Sequence, residues 1–131
     1  MPTDAELLAA ARQVASAAHS PYSKVRVGAA LLAKDGRVFP GCNVENASYG
    51  VTICAERGAC MRAVADGATE FTAIAIWSNM AHALPPCGAC RQFLSEFGLD
   101  LRVVVEGSGG GRLETTLREL LPSAMGPEDL R

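Results

Sequence analysis

Aromatic side chains are scarce in this chain, 5% of 131 residues, although 49% of the residues are apolar. Alanine, valine and leucine must therefore fill the core, and a chain of this length buries a sizeable one. Histidine is scarcer still. His19 and His82 are the only two, one in a predicted helix and one in a predicted loop, without the spacing of a ligand pair. Basic charge is also lacking: 12 Lys and Arg against 14 Asp and Glu give a formal charge of −2, and no basic stripe is visible. Polynucleotide partners, which are held through phosphates, are disfavoured, and small substrates are expected. No apolar run reaches the roughly 20 residues that span a bilayer. The opening "MPTDAELLAAARQ" lacks the basic segment of a secretory leader. A soluble, cytoplasmic protein with no membrane partner is the expectation. Five cysteines, an odd number in a reducing compartment, argue against a disulfide framework. The thiols are then core filler, metal ligands or reactive groups.

Without repeats or linkers, residues 1–131 read as one domain. Thr3 and Glu6 have capping-box spacing and open an Ala-rich helix running to about His19. "VRVGAALLA" predicts a strand from Val25 to Ala33, "KDGR" a hairpin turn, and 38–43 the return strand. A helix fits 55–66, a buried strand 73–78, a second helix 88–97 and a second buried strand 101–106. "GSGGGR" reads as a flexible turn before an edge strand at 112–116 and a last helical turn at 117–121. Apolar strands alternating with helices imply parallel pairing in the second half. The fold class is α/β: a three-layer α/β/α arrangement around a mixed sheet of about five strands.

The chemistry gathers at predicted helix starts. Cys87 and Cys90, in "PPCGACRQF", open one helix, and Cys54, in "ICAERGACM", opens another. Free N–H groups and the helix dipole favour thiolate there, the form that binds zinc. Helix starts that follow neighbouring parallel strands share one sheet edge. Three ligands with a fourth position open to water is the catalytic arrangement of zinc. On the helix at 55–66, Cys60, Met61 and Val64 mark the buried face by helical stepping, and Glu56 and Arg57 flank it at the first turn. An inward carboxylate two residues from a ligand is costly unless it works, and Glu56 suits a proton shuttle. Arg57 offsets the excess negative charge of three thiolates around Zn²⁺. Cys42 and Cys60 read as filler. A lone C-x-x-C is also compatible with a redox pair or a structural zinc. Cys-x-Glu followed by Pro-Cys-x-x-Cys is the more specific zinc-deaminase signature.

"PYSKVRVGAALL", "GCNVENASYG", "CAER", "PCGACRQ" and "ELLPSAMGPEDL" together resemble the small cytidine deaminases of pyrimidine salvage, over nearly the whole length. The resemblance implies hydrolysis of the 4-amino group of cytidine and 2′-deoxycytidine. It implies one zinc ion per chain on Cys54, Cys87 and Cys90, with Glu56 as the proton carrier. Asn43 and Glu45 match groups that bind the ribose 3′-hydroxyl. The Ala55 backbone matches the reader of the base edge, and Tyr22 and Tyr49 match aromatics near subunit contacts. A homotetramer is implied, with sites completed by neighbouring chains. Two positions depart from the pattern: Val25 and Met125 stand where the family places phenylalanines that pack around the nucleoside. The departures leave room for base-modified cytidines. Rival readings are a deaminase for a non-canonical nucleoside or a blasticidin S-like antibiotic, a zinc-stabilised binding module, and a polynucleotide editor. The module leaves Glu56 without a job, and the acidic charge opposes the editor.

Overall fold

The capping box at Thr3 and Glu6 opens the first helix of the computed structural model, which describes residues 1–130. This helix, α1 (Asp4–Ala15), stops short of the expected His19. The residues beyond it leave to pair elsewhere: the His19 amide bonds the Asn43 carbonyl at 3.0 Å, and the Glu45 amide bonds the His19 carbonyl at 2.7 Å. A helix continued through His19 would forfeit both bonds.

The remaining elements are β1 (Val27–Ala33), β2 (Val38–Cys42), α2 (Ala55–Ala65), β3 (Phe71–Ser78), α3 (Gly88–Ser95), β4 (Arg102–Gly107), β5 (Arg112–Thr116) and α4 (Leu117–Leu120). The five strands form one mixed sheet in the order β2-β1-β3-β4-β5, and only β3 and β4 pair in parallel. Side chains alternate across a strand, so each face buries its own set. Leu7, Leu8 and Ala11 of α1 pack on Ala30, Leu32, Ala73, Ala75 and Val104. On the other face Leu31, Ile74, Ile76, Val103 and Val105 take Ala59, Cys60 and Ala63 of α2 and Leu94 of α3. This is the expected three-layer α/β/α arrangement, with α1 on one face and α2 and α3, joined by Leu117 of α4, on the other. Small residues bring the layers together: a Cβ on Gly28 would meet the Ala11 carbonyl oxygen at 1.8 Å, and one on Gly41 the Ala59 nitrogen at 2.3 Å.

The sheet also positions the helix starts. β2 and β3 are not neighbours; β1 lies between them, antiparallel to both. They therefore run the same way, and the helices that follow them, α2 and α3, begin at the same sheet edge. Two sequence expectations need correction. Met61 and Val64 are 46% and 43% exposed, and the buried face of α2 is Ala55, Glu56, Ala59, Cys60 and Ala63. The "GSGGGR" segment is a turn, as expected, but it is pinned to the neighbouring loop rather than loose. The Ser108 and Gly109 amides bond the Met80 and Ala81 carbonyls, and a Cβ on Gly107 would lie 2.1 Å from the His82 carbonyl oxygen.

Candidate metal centre and its cleft

Cys54 caps the N-terminus of α2 and Cys87 that of α3, with Cys90 in the first turn of α3. Their three Sγ atoms lie within 4.8 Å of one another, and Cys54 and Cys87 are 3.8 Å apart. Tetrahedral zinc with Zn–S bonds of about 2.3 Å sets its sulfurs about 3.8 Å apart, so the trio fits three corners of such a site. Among the described residues no histidine or carboxylate joins the cluster. The Cys54 pKa is lowered to about 5, first by the hydrogen bond from Cys90, then by Arg57 and Cys87. Cys90, which donates to Cys54, is pushed up. Three sulfurs converging on one point form a donor set whose protons a divalent cation displaces on binding.

Glu56 is buried, only 4% exposed, and burial raises its pKa to about 6. Arg57 lies half-buried beside it. Its Nη2 donates to the Thr52 carbonyl at 3.2 Å and faces Cys54 Sγ at 3.7 Å. Its buried Nε has no partner. A cleft opens over these groups. Val25, Asn43, Glu45, Cys54, Ala55, Glu56 and Cys87 all line it, together with Val27, Thr52, Ile76, Leu84 and Pro85.

The polar residues at the rim are tied to the chain itself. Asn43 Oδ1 accepts the Val27 amide and its Nδ2 donates to the Val25 carbonyl, both at 2.8 Å. On the opposite side Asn79 Oδ1 accepts the Arg26 amide and its Nδ2 donates to the Lys24 carbonyl, both at 3.0 Å. Two side-chain amides thus take the part of strand neighbours along 24–27. That is why β1 begins at Val27 rather than at the expected Val25. Lys24, just before this stretch, has a left-handed φ of 63°. Glu45 accepts from the Tyr22 and Ser23 amides and from the Ser23 hydroxyl, which together hold its carboxyl below the usual carboxylate range.

Two predicted residues lie elsewhere. Tyr49, 73% exposed, stands with Tyr22 at an adjoining hollow that shares Ser23, Glu45 and Thr52 with the cleft. Their rings are 5.6 Å apart. Met125 is not brought to the cleft by its own chain. Its carbonyl accepts from Gln92 at 3.0 Å, and the residue lines a separate groove beside Ser95 and Asp100. Sequence reasoning missed Asn79 and Thr52 and passed over Ser23 within the quoted "PYSKV". Asn79 carries no sequence signal, because its partners are more than 50 residues away.

Known proteins resemble this chain in sequence and in fold. Residues 1–106 match the family model described as the cytidine and deoxycytidylate deaminase zinc-binding region. A cytidine deaminase of Sporosarcina psychrophila is 44% identical over 126 residues, 95% of this chain and 93% of that protein. One from Halalkalibacterium halodurans is 46% identical over 125 residues, 95% of each. The crystal structure of cytidine deaminase from Burkholderia pseudomallei superposes with a TM-score of 0.88 at 45% identity, covering 95% of this chain and 100% of that one.

Proposed function

The chain belongs to the cytidine and deoxycytidylate deaminase family, and from that membership we propose that it acts as a cytidine deaminase, one domain over residues 1–131 that hydrolyses cytidine and 2′-deoxycytidine. The observation that carries this reading is Glu56, a buried carboxylate lining the same cleft as Cys54 and Cys87 and standing outside the thiol cluster. Cys54, Cys87 and Cys90 would hold one zinc ion per chain, which when bound would supply Lewis acidity that makes water acidic near neutral pH. Glu56 takes a proton from the attacking water and delivers it to N3 of the pyrimidine. The water oxygen bonds to C4, and Glu56 then carries the proton of the new C4 hydroxyl to the amino nitrogen as the C4–N bond breaks, leaving a C4 carbonyl, so that one water is consumed and one ammonia released. A pKa of about 6 suits a group that accepts and donates near neutrality. Arg57 offsets the thiolate charge.

The Ala55 backbone reads the base edge, and Asn43 and Glu45 take the sugar 3′-hydroxyl. Their existing bonds pre-orient them, and the Glu45 carboxylate keeps acceptor capacity beyond its three bonds. Val25 in the cleft wall leaves more room than a phenylalanine, widening the range to N4- or C5-substituted cytidines. The chain works as a homotetramer in which Met125 and the tyrosines serve a neighbouring cleft. Exposure of Met125, Tyr22 and Tyr49 in the single chain supports this. Five unpaired cysteines support a reducing, cytoplasmic setting. The test is the fall in absorbance on a panel of cytidine, deoxycytidine, base-modified cytidines, blasticidin S and a cytosine-bearing oligonucleotide. Turnover of the two plain nucleosides is expected. A zinc-loaded protein inactive on both, or most efficient on the oligonucleotide or the antibiotic, overturns the reading.

A further inference from the structure

Arg91 follows Cys90 directly and belongs to α3. Its Nε donates to the Pro86 carbonyl at 2.7 Å, and its Nη1 donates to the Leu120 carbonyl at 2.9 Å. Pro86 immediately precedes Cys87. Pro85 and Pro86 have no N–H groups, so the loop entering this ligand can be fixed only through carbonyls and packing. The guanidinium takes one of those carbonyls. Its second bond reaches the last residue of α4, where the C-terminal segment departs. The next residue, Gln92, holds that segment again through the Met125 carbonyl at 3.0 Å. Among the described residues, these two bonds are the hydrogen bonds that join 120–130 to the body of the protein outside α4 itself.

We propose that Arg91 is a positioning residue that holds the Pro86–Cys87 turn for the metal and couples the metal centre to the C-terminal segment. The inference rests on the zinc reading of the three cysteines. Because the guanidinium bridges both parts, order in one favours order in the other, and thermodynamic linkage makes the effect reciprocal. Zinc on Cys87 and Cys90 tightens the hold on 120–130, and the docked segment slows loss of zinc. The planar fork is essential, since two carbonyls are met by two differently directed N–H groups. A lysine ammonium keeps the charge without that fixed geometry.

The test measures zinc transfer from the loaded protein to a chromogenic chelator, in the wild type, Arg91→Ala, Arg91→Lys and Gln92→Ala. Cleavage of the C-terminal segment by a protease cutting after leucine and methionine is followed with and without zinc. Zinc release should rise about tenfold or more in both Arg91 variants, the scale seen when groups supporting metal ligands are removed. Gln92→Ala should speed tail cleavage more than zinc release. In the wild type, zinc removal should accelerate cleavage within 120–130 and leave α1 protected. This last comparison needs no variant, so it decides the matter even if the Arg91 variants misfold. Zinc held equally well by wild type and Arg91→Ala, full rescue by Arg91→Lys, or tail cleavage indifferent to zinc overturns the inference alone. Equal acceleration in α1 does the same. A protein that neither carries zinc nor takes it up, nor shows thiolate absorption with cobalt, overturns the metal reading and this inference with it.

Discussion

Two carboxylates at one cleft are pushed in opposite directions by their surroundings. Burial raises Glu56, whereas hydrogen bonds from Ser23 and Tyr22 lower Glu45. The first is suited to moving protons and the second to staying ionised. Glu56→Gln keeps the shape and removes the proton carrier, so zinc content and melting temperature should hold while kcat falls by about 10²–10⁴. Loss of zinc in that variant would instead make Glu56 a ligand. Glu45 predicts an acid limit. Its folded-state pKa lies below the ordinary value of 4.5, so its contribution is complete above pH 4.5 and is lost as pH falls through the lowered value. Ser23 amide chemical shifts, followed by NMR, should therefore titrate with a midpoint below pH 4.5. A midpoint above 4.5 would refute this. The meeting of Glu56 with Cys54, Cys87 and Cys90 was legible in the sequence because their spacing is local to helix starts. The Asn43 and Asn79 grip on 24–27 was not, because it joins residues 16 to 55 positions apart.

Glycine composition shows why elements are harder to read than residues. "GSGGGR" has the make-up of a mobile turn, and nothing local distinguishes it from one. Its glycines are needed for close approach instead: Gly107 and Gly111 leave no space for a Cβ beside the backbone at His82 and Ala83, whereas Gly110 faces open space with a φ of 90°. The loop they support continues into Leu84 and Pro85 of the cleft wall. Gly107→Ala should therefore force backbone movement costing about 1–3 kcal/mol. Gly110→Ala meets only the strain of its left-handed conformation. Thermal melts should show both variants destabilised, but only Gly107→Ala should also raise KM for cytidine. An unchanged KM there would mean that the turn does not position the wall. The helices and strands themselves were legible to within a few residues, since each carries its own period and stop signal. The ends of α1 and β1 were not, because pairing with distant chain decides them.

At the scale of the whole molecule, helical periodicity reports an apolar stripe but not what covers it. Met61 and Val64 were read as core because they are apolar, yet they face outward in the single chain. Together with exposed Tyr22, Tyr49, Phe93 and Met125 they are surface that the proposed assembly would cover. Light scattering should give about four times the 13.7 kDa chain mass at micromolar concentration, and a monomer would refute the assembly. The assembly also decides what Met125 does, since its own chain holds it away from the cleft through Gln92. An added ring supplies about 0.5–1.5 kcal/mol of aromatic contact, or roughly a two- to tenfold change in preference. Val25→Phe should raise the preference for cytidine over an N4-substituted cytidine by that factor from within the cleft. Met125→Phe should do so from the neighbouring chain. Mixed assemblies separate the two routes. Chains carrying Glu56→Gln and Met125→Phe are catalytically silent, so activity in a mixture with wild-type chains comes from wild-type clefts alone. A shift towards cytidine in the mixture, growing with the share of silent chains, places Met125 across the subunit boundary. A ratio of catalytic efficiencies identical to that of the wild-type assembly would remove Met125 from its neighbour's site.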